Sequence, residues 1–408
     1  MGQGHSHRAG RDLDDRVRVG GPARIALLAS LAVALLVAVV GIVAWWPSGD
    51  DVVDRGAAQF AAPGVTFPIG EVTAAARVCG DDERPGEADC GTLTVDVGED
   101  GEVVVPVPRE VTESGLTAGD SVELMRLPVE GGEATYSYFA TDRDAELLWL
   151  ALLFLVVVVA TARWRGVFAL VGLACGGAVV WWFMLPALLH GAPGMGVAFA
   201  GSTAIMFVVL YTTHGLSLRT STALAGTLVG VALTAGIGWV AIGGTHLTGI
   251  SDESGGLLST FAADLDFQSL LGCALVIAGL GVLNDVTITQ ASSVWELRAA
   301  APQASRMALF ASGMRIGRDH IASTIYTIVF AYVGTSLLVL MLLRVYDRPL
   351  IDLLSTEELA EEIVRTLTTS IGLVLAVPIT TAIAALIVSG PVAAEDVSPS
   401  EEPTPAAP

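Results

Sequence analysis

The chain has 408 residues and a formal net charge of −21, with 15% charged and 53% hydrophobic residues and a mean hydropathy of +0.65. Soluble domains carry about 25% charged residues, so this composition excludes an ordinary soluble globule and points to a membrane protein. The acidic balance comes from aqueous segments, mainly 50–146, 347–362 and the C-terminal tail, and the lack of a basic stripe excludes nucleic acid as a partner.

Residues 1–24 form a basic N-terminus carrying Arg8, Arg11, Arg16, Arg18 and Arg24, ahead of an apolar run at 25–46. That run is too long for a signal peptide, and no small-residue cleavage site follows Trp45-Trp46-Pro47, so it reads as an uncleaved anchor with the N-terminus inside. His5 and His7 are two ligands on a chain end, too few to make a metal site.

Residues 47–146 form the one large aqueous segment. Period-2 apolar stretches recur at 65–77, 92–97, 102–107, 121–127 and 135–141, with turn signals at 98–101 and 131–132. These predict about five short strands in a small barrel, OB-like in size. Cys79 and Cys90 flank a polar loop in this segment, and on the outer face they would form a disulfide. Cys175 and Cys273 lie in spans and read as packing residues.

Seven further runs near the ~20 residues needed to cross lipid follow at 147–161, 167–188, 197–213, 222–242, 270–289, 323–343 and 367–388. With the N-terminus inside, alternation puts Arg163, Arg165, Arg219, Arg298, Arg306, Arg315 and Arg318 inside too. The outer loops 189–196 and 245–269 carry no arginine, as the positive-inside rule requires, and only Arg344, Arg348 and Arg365, beside many carboxylates, go against it. Before the last span, Ser355 and Glu358 fit a capping box, which predicts a short amphipathic helix feeding that span. The tail at 391–408 is Pro, Ala and acid, a composition that does not fold. The expected fold is therefore mostly α: a polytopic helical membrane protein of about eight spans, in a membrane domain at 147–390, with a small extracytoplasmic β-rich domain at 47–146. The expected location is the bacterial plasma membrane, with residues 47–146 outside.

The sixth span carries the strongest functional signal. Its apolar run turns polar within the same helix at Asn284, Asp285, Thr287, Thr289, Gln290, Ser292, Ser293 and Glu296. A carboxylate at membrane depth costs roughly 2.5–3.5 kcal/mol on insertion scales and marks a functional site by default. Asp285, Thr289, Ser292 and Glu296 fall on one helical stripe. In the seventh span His320, Ser323, Thr324, Thr327, Ala331 and Thr335 make a second polar and small stripe, and the two could face each other across a wet cavity. Pro378 in the eighth span frees a carbonyl at membrane depth, as in the broken helices that build midplane sites. The bland readings are that the Ser and Thr stripes only join helices and that Asp285 pairs with Arg315 or Arg318. Three Gly-xxx-Gly pairs, at 172/176, 226/230 and 313/317, are close-packing signals.

An intramembrane aspartyl protease does not fit. Asp285 sits near the inner edge and Asp347 beyond the outer end of the next span, most of the ~30 Å core apart. A serine mechanism through Ser323 and His320 lacks a Gly-x-Ser-x-Gly context. No cofactor is implied.

Three long motifs carry a resemblance: GLGVLNDVTITQASSVWELR at 279–298, RIGRDHIASTIYTIVFAYVGTSL at 315–337 and EEIVRTLTTSIGLVLAVPITT at 361–381. With Trp164-Arg165-Gly166, residues 183–187 and residues 210–215, they make the chain similar, over roughly 60–390, to the actinobacterial type of the YibE/F-like membrane proteins. The resemblance implies several spans, an N-terminal extracytoplasmic segment and no established activity. The family pattern often has Asp at the position of Asn284 and Asn at that of Tyr326. A site of two carboxylates at 284–285 therefore does not carry over, which leaves a single Asp285 with an amide neighbour.

Two functions are expected. The first is a transporter or channel for a small solute or ion, with Asn284, Asp285, Thr289, Gln290, Glu296, His320, Thr324, Thr327 and Pro378 along its pathway. The second is a membrane-anchored binding or assembly protein acting through 47–146. The partners expected are the lipid bilayer and a small solute or ion, with a second copy of the chain left open.

Overall fold

The computed structural model describes residues 17, 19–47, 64–77, 91–129, 134–262, 265–345 and 349–389. His5, His7, Cys79, Cys90, the glycine pair at 131–132 and the acidic tail lie outside the described residues. The chain divides into two units, residues 50–163 and the remainder.

In the first unit the five alternating segments become strands β1 (Ile69–Arg77), β2 (Gly91–Asp96), β3 (Glu102–Val107), β4 (Ser121–Leu127) and β5 (Thr135–Thr141). All pair antiparallel, in the order β3-β2-β1-β4-β5. Strands β3 and β5 also come alongside one another, so the sheet curls into a partly open five-stranded barrel, the OB-like arrangement. The alternation decides what it encloses: Val72, Leu93, Val95, Val105, Val107, Val122 and Leu124 point inward and are buried together. Register shifts after Val72 and Glu123 are bulges, which add the twist that closure needs.

The turn at 98–101 forms as expected, with Gly98 and Gly101 at φ 72° and 76°, a region that glycine enters without steric cost. It presents Asp100 to the far side of the barrel. Arg126 Nε donates to Asp100 Oδ2 at 3.2 Å and to the Tyr136 hydroxyl at 3.0 Å, and the Tyr136 hydroxyl donates to the same carboxylate. Arg126 and Tyr136 are cross-strand partners on β4 and β5, so this trio ties the β2–β3 turn to the second hairpin. The Tyr136 hydrogen bond and the Arg126 charge hold the Asp100 carboxyl below its ordinary range. A short helix α2 (Arg109–Glu113) crosses between β3 and β4, and the apolar helix α3 (Asp144–Ala162) follows β5.

The second unit is helical: α1 (Gly21–Ala44), α4 (Trp164–Val179), α5 (Leu185–Leu189), α6 (Gly194–His214), α7 (Leu218–Thr245), α8 (Glu253–Phe261), α9 (Phe267–Ala300), α10 (Arg306–Thr335), α11 (Leu337–Val345), α12 (Leu350–Leu353) and α13 (Glu357–Ile387). A wide π turn, Val180–Met184, joins α4 to α5, so 164–189 runs as one span. Among the described residues seven helices are long and apolar enough to cross a membrane, and α10 with α11 makes an eighth if that bent pair is one span. The protein is thus a multi-pass helical membrane protein with a small antiparallel sheet near its N-terminus.

Three features of the helices differ from expectation. The seventh span is broken: α10 stops at Thr335 and α11 leaves at 61°. Conversely, α13 runs unbroken through Pro378 for 31 residues, so this proline does not split its span. The capping box also fails. Ser355 Oγ donates back to Asp352 O and Thr356 Oγ1 to Leu353 O, each at 2.8 Å, and the N-cap position of α13 is Thr356, without a side-chain cap bond. The hydroxyls close the preceding turn instead, a competition short polar side chains often win against capping.

Helix α9 is central, packed on α6, α7, α10 and α13. Between helices in lipid there is little hydrophobic drive, so close backbone approach matters. Here glycine on one helix receives threonine from the next: Gly226 faces Thr380, Gly372 faces Thr234, Gly279 faces Thr369 and Gly313 faces Thr381. All three Gly-xxx-Gly pairs meet a neighbouring helix, the 172/176 pair through Val209, Thr212 and Ile205 of α6.

Candidate functional site

Helix α9 is 34 residues long, about 51 Å at 1.5 Å per residue, and so outruns a hydrocarbon core of ~30 Å. Its start is held by Asp266, whose side chain accepts from Ser269 N at 3.1 Å. Along it Leu275, Val276, Leu283, Val286, Thr287, Gln290, Ala291 and Val294 are buried, and this row sets the rotation of the helix.

Asp285, Thr289, Ser292 and Glu296 do share one stripe, on the opposite side from that row. Asp285 and Glu296 are exposed, Thr289 and Ser292 half-buried. The polar groups that α9 buries are Thr287, Gln290 and, at its C-terminal end, Arg298. Thr287 Oγ1 meets Thr227 Oγ1 of α7 at 2.6 Å. Gln290, 1% exposed, donates through Nε2 to Gly313 O of α10 at 2.8 Å and to Thr381 Oγ1 of α13 at 2.7 Å. Gly317 leaves the room for it, since a Cβ there would press on the Gln290 amide. Gln290 thus joins three helices. Its neighbour Asn284 is half-buried.

On α10, His320 and Thr324 are half-buried and Thr327 is exposed, so the second stripe is only partly covered by its neighbours. Thr324 Oγ1 donates to His320 O at 2.7 Å and Thr327 Oγ1 to Ser323 O at 3.2 Å. These bonds stay within the helix, and among the described residues no hydrogen bond joins the two stripes. Pro378 is half-buried in α13.

Asp285 makes no salt bridge to Arg315 or Arg318 among the described residues, and Arg315 Nη2 donates instead to Ser312 Oγ of its own helix at 2.8 Å. Asp285 lies within electrostatic reach of His214, which closes α6, and Arg219 at the start of α7 and Arg165 at the start of α4 act on the same imidazole. Thr213 Oγ1 sits 2.8 Å from His214 Nδ1. Four helices therefore bring a carboxylate, an imidazole and two guanidinium groups to one end of the bundle. Such a set gives this end of the bundle a mixed-charge field that a small ion would feel. The site list read from the sequence lacked His214, Arg165 and Arg219. Alternation of the spans, which puts the ends of α4, α6 and α7 on one side, was the signal for them.

The opposite end of the bundle holds a second polar group. Glu357 accepts from the Thr248 amide and hydroxyl, Glu361 accepts from Ser251, and Arg365 bridges to Glu362 at 2.8 Å.

Among the described residues no group of three or more His, Cys, Asp and Glu side chains is placed to hold a metal ion. Within the unit 50–163, a cleft of about 360 Å³ opens where the barrel meets α3, lined in part by Ser114, Asp120, Thr141, Asp142, Arg143 and Glu146.

No curated protein and no solved structure matches the chain. The family model described as YibE/F-like protein matches residues 150–390, which take in every helix from the middle of α3 to α13, and the chain belongs to that family.

Proposed function

We propose that this protein moves a small solute or ion across the bacterial plasma membrane, through a site at Asp285. The supporting observation is that Asp285 on α9 lies within electrostatic reach of His214 on α6, the imidazole on which Arg165 and Arg219 also act. A carboxylate near hydrocarbon depth is costly unless it works or is paired, and its neighbours come from different helices, whose movement would change its charge balance. Gln290 and the glycine–threonine contacts act as the frame that holds α9, α10 and α13 in register. In this reading the N-terminus is inside and residues 47–146 are outside, as the arginines favour.

A site that binds an ion or proton needs the carboxylate itself. Asp285→Asn should therefore abolish activity, scored as complementation of a deletion strain, with thermal stability unchanged. A well-folded Asp285→Asn protein that still complements would remove Asp285 from the pathway. A second reading, binding or assembly through the barrel, draws on the 360 Å³ cleft. It predicts the reverse: deletion of 64–141 abolishes complementation while Asp285→Asn does not.

A further inference from the structure

Glu361 lies one turn into α13, at the end of the bundle away from Asp285, and is 5% exposed. Its Oε2 accepts from Ser251 Oγ at 2.9 Å and stands 4.0 Å from Arg365 Nη2. Its Oε1 is buried and has no hydrogen-bond partner among the described residues. The apolar residues Ile242, Leu247, Leu271, Leu275 and Val364 cluster at this end of the helix, with Ala360 packed on them.

An ionised carboxylate accepts at both oxygens, and burying one of them without a donor is costly. Arg365 does not make good the deficit, because its short contact, 2.8 Å, goes to Glu362. The other charged groups acting on Glu361 are Glu357 on α13 and Asp252 at the start of α8, and both repel a second negative charge. Tyr332 of α10 stands near Arg365 and Glu362 and brings no positive charge. Glu361 and Glu362 thus share one guanidinium, and a single proton makes the trio neutral. A divalent metal fits poorly, since Arg365 faces the same carboxyl.

We infer that Glu361 is a proton-binding site, a carboxyl held in its acid form at neutral pH and released when Arg365 turns from Glu362 to it. The chemistry is simple: the proton leaves Oε1 to water, and the carboxylate formed takes Arg365 as its counter-ion. This binding is independent of the transport reading, because it needs no transported solute and can be read in the resting protein.

The test is infrared difference spectroscopy of the purified full-length protein in lipid nanodiscs, titrated with acid and base. A protonated-carboxyl band present at neutral pH and absent from Glu361→Gln supports the site; wild-type and Glu361→Gln spectra that coincide overturn it. Should Glu361→Gln fail to assemble, Glu362→Gln reads the same group. Freeing Arg365 for Glu361 should lower the titration midpoint of that band by about one pH unit or more, and a midpoint that stays put overturns the inference. Titration with sodium at fixed pH should leave the band unchanged, and its loss on sodium binding would also refute a proton site.

Discussion

The contact between Gly226 and Thr380 gives the sharpest test of how the bundle is held. A Cβ placed on Gly226 of α7 would fall onto the Thr380 hydroxyl of α13 and lie 2.9 Å from its Cβ and 3.0 Å from its Cγ2. Carbon atoms prefer about 3.5–4.0 Å, so Gly226→Ala must push the helices apart by about 0.5–1 Å. Thr380 cannot yield easily, being fully buried and β-branched. Overpacking of this kind costs about 1–3 kcal/mol. Replacing glycine in a helix returns up to about 1 kcal/mol of propensity, which leaves a net loss of about 0–2 kcal/mol. The control sits on the same helix: a Cβ on Gly236 meets nothing within 4 Å, so Gly236→Ala should be neutral or slightly stabilising. The decisive measurement is a double-mutant cycle in detergent-solubilised protein, with thermal unfolding as the readout. Thr380→Ala should recover much of the loss in the Gly226→Ala background, because it removes the hydroxyl and Cγ2, two of the three atoms in collision. If Gly226→Ala matches Gly236→Ala, or if Thr380→Ala gives no recovery, the close approach of α7 and α13 is not what the structure places there.

Two further outcomes concern the barrel. Asp100 is held below its ordinary range, mainly by the Tyr136 hydroxyl, so the stability it contributes is present above the carboxyl's unfolded pKa, about 4. That contribution is lost as the pH falls through the lower folded value. Tyr136→Phe should lower the resistance of residues 64–141 to proteolysis at neutral pH and flatten its decline below about pH 4; an unchanged pH profile would refute the trio. For Cys79 and Cys90, mass spectrometry of protein from native membranes should find one disulfide, worth ~2–3 kcal/mol for a loop of that size, and two free thiols would refute it.

Much of this protein is a local property of its sequence. Strand segments alternate every second residue, and each expected segment formed a strand, four of the five burying alternate residues in a common core, because the period of a strand leaves two faces to choose between. The spans are likewise legible, since lipid demands a run of apolar residues whatever its neighbours, and the Gly-xxx-Gly pairs announce close approach. Rotation is different. Helix α9 has apolar residues on most of its circumference along the first half, so no stripe in the sequence says which side turns inward. The four helices packed around it settle that, and they bury Gln290 and Thr287 while leaving Asp285 and Glu296 outside. The same holds for breaks: Pro378 costs one backbone bond in a helix fixed along its length by α7, α9 and α10, and that packing carries α13 through it. Meanwhile α10, with Ile328 its one buried residue beyond Gly317 among those described, bends away after Thr335. The convergence of Asp285, Arg165 and Arg219 on His214, and of Glu361 on Ser251, depends on residues scores of positions apart. Charge at a position is written in the sequence, but which charges meet is decided when helices with interchangeable apolar faces choose their neighbours.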